Sequence, residues 1–520
     1  MNQPNYDLNK KDSFGITLLI WAAICGQEEV AKLLLERQAV NLEKSDGGFR
    51  RTALSWAAKK GHEAIVKLLL ERASTKPDGT DVWWGRTPRA VKEVWKGRYV
   101  NLNRADRHGQ APISLAAEEG HEGVVKLLLG RKDVKPNMPD NDGRTPLSLA
   151  AKDGHDRVVE ILLGRGDVNP NMPDKRGQTP LSWAAESGRD GVVKLLLERE
   201  DVNPDMPDKR RRTPLSWATS GLDEEAVKVV KLLLGREDVN SNMSDNNGRT
   251  PLSWAAGCGC DGVVKLLLQR EGVNPDVPDN DGRTPLSWVA GHGHNGAVKL
   301  LLEREDVHRN MPDNGGRTPL LWATMRERDA VVRLLLRQDG IIPDMPDNNG
   351  RTPLSWAVIM GWAHGVVKLL LEQGNVNPDI PDKRGRTPLS WAAEYGRYGV
   401  VELLLGWEGI NPNMEDNNGR TPLSHAAEDR YYEVEEVVKL LLGWGGVNPD
   451  MPDNYGRTPL SWAAGNGRDG AAKLLLERGD VNPNMPNKYG LTPLFFAFMK
   501  RHKGVVKLLQ ARKSANPNPA

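Results

Sequence analysis

The chain has 520 residues, 38% of them hydrophobic and 27% charged. That length exceeds one ordinary core, so several domains or one repetitive array is expected. With 71 Lys plus Arg against 69 Asp plus Glu, no global field draws in nucleic acid or an anionic membrane; three cysteines, Cys25, Cys258 and Cys260, exclude a disulfide framework and fit a reducing, intracellular compartment, expected to be the cytoplasm.

From the N-terminus, Lys10 and Lys11 precede an apolar run from Ile16 to Cys25. The run loosely imitates a secretory leader. It reads instead as the first helix of a repeat, because Thr17 is in register with the threonines of the later units. The tripeptide Thr-Pro-Leu recurs with its Thr at 145, 179, 213, 250, 284, 318, 352, 387, 421, 458 and 492, almost always 34 residues apart. Degenerate copies at Thr17, Thr52, Thr87 and Ala111 bring the series to about 15 units. No apolar run approaches the ~20 residues of a membrane span.

One unit shows the physics. Asp174 and Gly177 supply a tight turn, since Gly tolerates positive φ. Thr179 suits the N-cap, and Pro180 the first helical position, where no amide hydrogen is needed. The spacing predicts a short helix over 181–186, ended by Gly188, and a second through Val192, Val193, Leu195, Leu196 and Leu197. Asn203 and Pro204 are expected to stop it. Helices this short are unstable alone in water, so each pair must be covered by the next. Units beginning near Thr213 and Thr421 are longer, and the additions at 223–226 and 432–435 predict a second helix about one turn longer.

The division expected is 1–70 as two units, 71–108 as a shortened third unit, 109–513 as the remaining twelve and 514–520 as a polar tail. Only 24 residues separate Thr87 from Ala111, and Trp83, Trp84 and Trp95 crowd that segment. It reads either as a broken repeat where the stack kinks or splits, or as a continuous stack with one improvised helix.

The wording Thr179-Pro-Leu-Ser-Trp-Ala-Ala185, Gly188, Val192-Val-Lys-Leu-Leu-Leu197, Asp201-Val-Asn203 resembles ankyrin repeats. It is similar to long arrays common in filamentous fungi, which often follow nucleotide-binding signalling modules. The resemblance implies an all-α solenoid of stacked helix-turn-helix units with hairpin-like loops, protein partners, no cofactor and no reaction. The fourth signature residue here is mostly Ser (Ser148, Ser182, Ser253) rather than His, which puts the usual His network in doubt.

No phosphate loop, no Gly-x-Ser-x-Gly and no His-Glu-x-x-His occurs, so no catalytic residue is assigned. His62, His121, His155 and His294 follow the helix-ending Gly and read as structural. Cys258 and Cys260 with His292 and His294 one unit later have the residue types of a zinc site. Against that stands a separation between neighbouring units of ~8–10 Å. Trp183, Trp217, Trp254, Trp288, Trp322, Trp356, Trp391 and Trp462 recur after the signature position, either packing between units or forming an aromatic ladder. Phe495, Phe496 and Phe498 are expected to close the core.

The resemblance places partner contacts at hairpin tips and at the exposed end of each first helix. The tips include Lys175 and Arg176, Lys209 and Arg210, and Lys383 and Arg384. The helix ends include Glu186 and Ser187, and Glu394 and Tyr395. Arg211 replaces the turn Gly, so that tip is either remodelled or strained. The adjacent basic tips read as an acidic docking site or as a solvated cluster. The resulting reading is a protein-interaction scaffold. A regulatory arm of a nucleotide-binding signalling protein, and nucleic-acid binding through basic tips, stand as alternatives, the latter opposed by the neutral total charge.

Overall fold

The recurring threonine fixes where each first helix starts. In a computed structural model of the chain, residues 7–37, 39–73, 100–221, 224–361, 364–372, 375–428 and 434–515 are described. Among them are 28 helices in fourteen pairs and no strand. The Oγ1 of Thr179 accepts the amide hydrogen of Ser182 at 3.2 Å, and the helix Pro180–Glu186 begins with Pro at its first position. The same cap recurs at Thr145, Thr213, Thr250, Thr284, Thr352, Thr387 and Thr458. Such a cap contributes about 1 kcal/mol. Ser182 is buried, and its hydroxyl lies 3.1 Å from that of Thr179. The serine that replaces the family's usual His thus satisfies its own polar group locally.

Most second helices follow a left-handed glycine, replaced by Glu327 and Arg501 in two units, and present two small apolar residues, usually Val, and a Leu inward. In Asp190–Leu197, Val192, Val193 and Leu196 are fully buried. Burial of each such side chain is worth about 1.5–3 kcal/mol. First helices pack on the first helices of the next pair, as Pro146–Asp153 does on Pro180–Glu186, and second helices pack on second helices. The longer units extend as expected: Glu224–Leu234 has 11 residues and Val434–Gly443 has 10, against 8 in Asp190–Leu197.

The helix Asp190–Leu197 ends well before Asn203 and Pro204, which corrects the expected stop. Its last carbonyl, that of Leu197, is reached by the Arg236 guanidinium of the next unit at 3.3 Å, just as Arg199 reaches Leu163, the last residue of the preceding second helix, at 2.8 Å. Arg165 reaches Leu129, and Arg478 reaches Leu442, in the same way.

Two compact units divide the chain, Met1–Val273 and Asn274–Ala520. In the first, helices Ala53–Lys60 and Glu63–Ala73 pack directly on Pro112–Glu118 and Glu122–Leu129. His121 bonds the carbonyl of Lys59 at 2.9 Å, and Arg51 donates to Asp106 at 2.8 Å. Thr87, Trp83, Trp84 and Trp95 of the shortened unit lie outside the described residues, as do 516–520 of the tail.

A side-chain ladder joins the loops after the second helices. The Nδ2 of Asn137 donates to the carbonyl of Asp167 at 2.6 Å, and its Oδ1 accepts from the amide of Asn169 at 2.9 Å. Asn171, Asn310 and Asn413 repeat this two-way bridge. Asp205, Asp344, Asp379 and Asp450 occupy the same position and accept the amide. Their second oxygen stands where the amide nitrogen of Asn would be, and it is buried without a partner. Burial raises the pKa of all four. Asp344→Asn supplies the missing donor and should stabilise by about 1 kcal/mol. Because the folded pKa of Asp344 is raised, the native chain binds the proton more tightly, and its stability rises as pH falls into the carboxylate range. Thermal midpoints of both proteins should therefore differ most at neutral pH and converge on acidification.

Candidate binding surface

Each described hairpin tip but the last, where Asn487 stands, is built on one aspartate. Asp313 Oδ1 accepts the amides of Gly315 and Arg317 at 2.8 and 2.9 Å, while Oδ2 receives Arg317 Nε and Trp322 Nε1, both at 3.0 Å. The tips are chained through the backbone. The amide of Lys175 donates to Asp142, Lys209 to Arg176, and Asn246 to Arg210, at 2.8–2.9 Å. In the second compact unit Lys383 donates to Asn349 and Asn417 to Arg384. With backbone groups paired, the tip side chains are left to solvent. Lys175, Arg176, Lys209, Arg210, Lys383 and Arg384 are all exposed.

Arg211 is strained rather than remodelled. Its φ is 62°, and its amide still closes the turn on Asp208 at 2.8 Å, as Gly177 does on Asp174. At the first-helix ends, Glu186 is exposed and accepts from Gln178 Nε2 at 2.7 Å, and Ser187 is half-buried. Glu394 pairs with Arg386, and Tyr395 stacks on Trp391 with ring centroids 5.8 Å apart.

The tryptophans lie against arginines of the Gly-Arg-Thr-Pro turn. Arg317 sits 4.3 Å from the Trp322 ring, and Arg283 of the preceding unit sits 4.2 Å from it. Arg351 and Arg386 flank Trp391, and Arg420 and Arg457 flank Trp462. These contacts place the rings between successive units. Sequence reasoning passed over the arginines, although they recur at the same period as Asp and Trp. His425 takes the Trp position once, with its Nε2 3.1 Å from Asp416. Burial holds His425 below the usual histidine pKa. Burial alone would raise the Asp416 pKa, but His425 and the amides of Arg420 and Asn418 bring it to about 2.

The histidines after the helix-ending glycine bridge units. His62 bonds the Ile24 carbonyl at 3.2 Å, and His155 that of Glu118 at 2.8 Å. Cys260 takes this position, and its Sγ donates to Gly221 at 2.7 Å. Burial raises the pKa of Cys258, which disfavours the thiolate that zinc requires. Cys258 and Cys260 belong to the first compact unit, and His292 and His294 to the second. His292 stacks on Trp288 and His294. Among the described residues no group of three or more His, Cys, Asp or Glu could hold a metal ion. Phe495 and Phe498 are 42% and 70% exposed, so they do not close the core as expected. No described pair packs on their outer side.

The family described as ankyrin repeats (3 copies) matches residues 2–81, 113–208, 200–279, 262–347, 340–416, 363–436, 398–485 and 431–519. The chain belongs to the ankyrin repeat family. A comparison with curated proteins gives no match. Among solved structures, the ankyrin repeat domain of Bcl-3, a member of the IkappaB protein family, is similar at 26% identity. It covers 44% of this chain and 99% of its own, with a TM-score of 0.39. Ankyrin repeats form a protein-interaction fold, and no described helix of this one is long and apolar enough to cross a membrane. Relief of the strain at this tip is measurable: Arg211→Gly should raise stability by about 1 kcal/mol, read as slower amide exchange in the helices Pro214–Ala218 and Glu224–Leu234. Faster exchange there would show that Arg211 makes contacts that outweigh its backbone strain.

Proposed function

We propose that this ankyrin array is a non-enzymatic scaffold that holds protein partners along its hairpin tips and first-helix ends, in the cytoplasm. One observation carries the reading. The Thr cap, the Asp hub and the backbone chaining recur from unit to unit, while the exposed tip residues change from Asn141 and Asp142 to Lys175 and Arg176 to Asn246 and Asn247. A frame that pairs its polar backbone internally and varies only its solvent-facing side chains suits recognition rather than catalysis. The shifted pair His425 and Asp416 is buried within its unit.

The test is site-specific photo-crosslinking in the native cell. Crosslinkers at Lys209 and Glu186 should trap partner proteins that a crosslinker at Lys194, on the exposed face of a second helix, does not. Equal trapping at all three positions, or none at the tips, would contradict the proposal.

A further inference from the structure

Three turn arginines cover the tryptophan of the following unit, and at that position ahead of Trp217 no arginine stands. Arg283, Arg351 and Arg420 each lie 4.1–5.1 Å from the ring of the following unit. Gln178 takes that place ahead of Trp217 and turns its Nε2 away to Glu186. A cleft of about 640 Å³ opens there, between the tips Lys175–Arg176 and Lys209–Arg210, with Asp208, Arg212 and Trp217 among its walls. Its lining carries five cations against the single carboxylate of Asp208. None of the four tip cations forms an ion pair among the described residues.

The walls also hold polar groups with nothing to bind. Trp217 Nε1 is buried without a partner, as are those of Trp183, Trp391 and Trp462, whereas Trp254, Trp288, Trp322 and Trp356 donate theirs to the tip aspartate. Arg212 Nε approaches Asp208 at 3.5 Å but makes no hydrogen bond. Gln178 Oε1, in a fully buried side chain, also lacks a donor. Unpartnered Trp Nε1 and Arg Nε atoms recur at these positions in other units, but the buried Gln178 Oε1 belongs to this cleft, and a fully buried polar group beside five cations points to a ligand.

We propose that this cleft binds an acidic segment of a protein partner, with its carboxylates meeting the tip cations, Arg212 and Trp217 Nε1, and a backbone N–H meeting Gln178 Oε1. This rests on the scaffold reading and names the chemistry of one docking point. A free anion would leave Gln178 unsatisfied. A nucleic acid fits poorly, because the neighbouring tips, Asn141–Asp142 and Asn246–Asn247, break the basic track. Arg212 also lies 3.3 Å from the Trp217 ring, on the face a base would use. Adjacent tips are roughly one packed layer apart, ~8–10 Å. At ~3.3 Å per residue, an extended peptide spans this with acidic residues three positions apart.

The test measures binding to the full chain, by fluorescence anisotropy at low salt. The probes are a labelled peptide with two glutamates three positions apart, its glutamine twin and an RNA oligonucleotide. The glutamate peptide should bind at least ~10-fold more tightly than its twin, with the gap closing as salt rises. Charge reversal at Lys175 and Lys209 together should abolish the difference. Trp217→Phe should weaken binding several-fold, and charge reversal at Lys194, on the exposed face of a second helix, should leave it unchanged. Gln178→Arg is decisive. It adds positive charge but installs the residue other units use to cover the ring, so the cleft requires weaker binding and a mere charge cluster requires tighter binding. Equal binding of the two peptides, stronger binding of RNA, or tighter binding by Gln178→Arg would overturn the proposal. Partner trapping at Glu186 or at other tips would be untouched by any of these results.

Discussion

A helix of seven or eight residues cannot hold itself together in water, and nothing in this protein is exempt from that limit. Each pair has an apolar face of Val, Val and Leu that only another pair can cover. Order is therefore a property of neighbours. The polar groups obey the same logic. His121, Arg199 and Asn137 all direct their side chains to the backbone of an adjacent unit. Hydrophobic contact and inter-unit hydrogen bonds thus select the same register, which is what makes a repetitive sequence fold to one arrangement.

The frame is informative where it departs from itself. An Asp in the Asn ladder leaves an oxygen buried without a donor, a residue other than Gly at the turn stores backbone strain, and Gln178 leaves its own Oε1 buried without a donor. These positions cost stability, and a repeat that only had to stack would have no use for them. The second and third fall on neighbouring tips, where Lys175, Arg176, Lys209 and Arg210 gather. Strain, an orphaned buried oxygen and unpaired charge in one place are the marks of a position shaped for something outside the frame.

Most of the fold was legible in the sequence, because the period is long, regular and carried by residues with single physical roles. Thr caps, Pro begins, and Gly with positive φ ends. The longer second helices at Glu224–Leu234 and Val434–Gly443 were readable from three extra residues each. What could not be read were contacts made at a distance of one period. Arg199 caps the preceding second helix by reaching Leu163, which no local signal announces. Nor does the segment 71–108 reveal that the pairs on either side pack directly on each other. At the binding surface, basic tips were visible as charge alone. The cleft between them depends on an arginine that is absent, and absence shows only once the others are seen covering their neighbours' rings.

Amide exchange of the full chain carrying Leu196→Ala tests the neighbour-dependence of order most directly. The lost burial costs about 2–5 kcal/mol. Exchange should accelerate in Asp190–Leu197 and in the flanking helices Asp156–Leu163 and Glu224–Leu234, while Leu18–Cys25 keeps its protection. Acceleration confined to the altered pair, or spread equally over every pair of the same compact unit, would contradict the account.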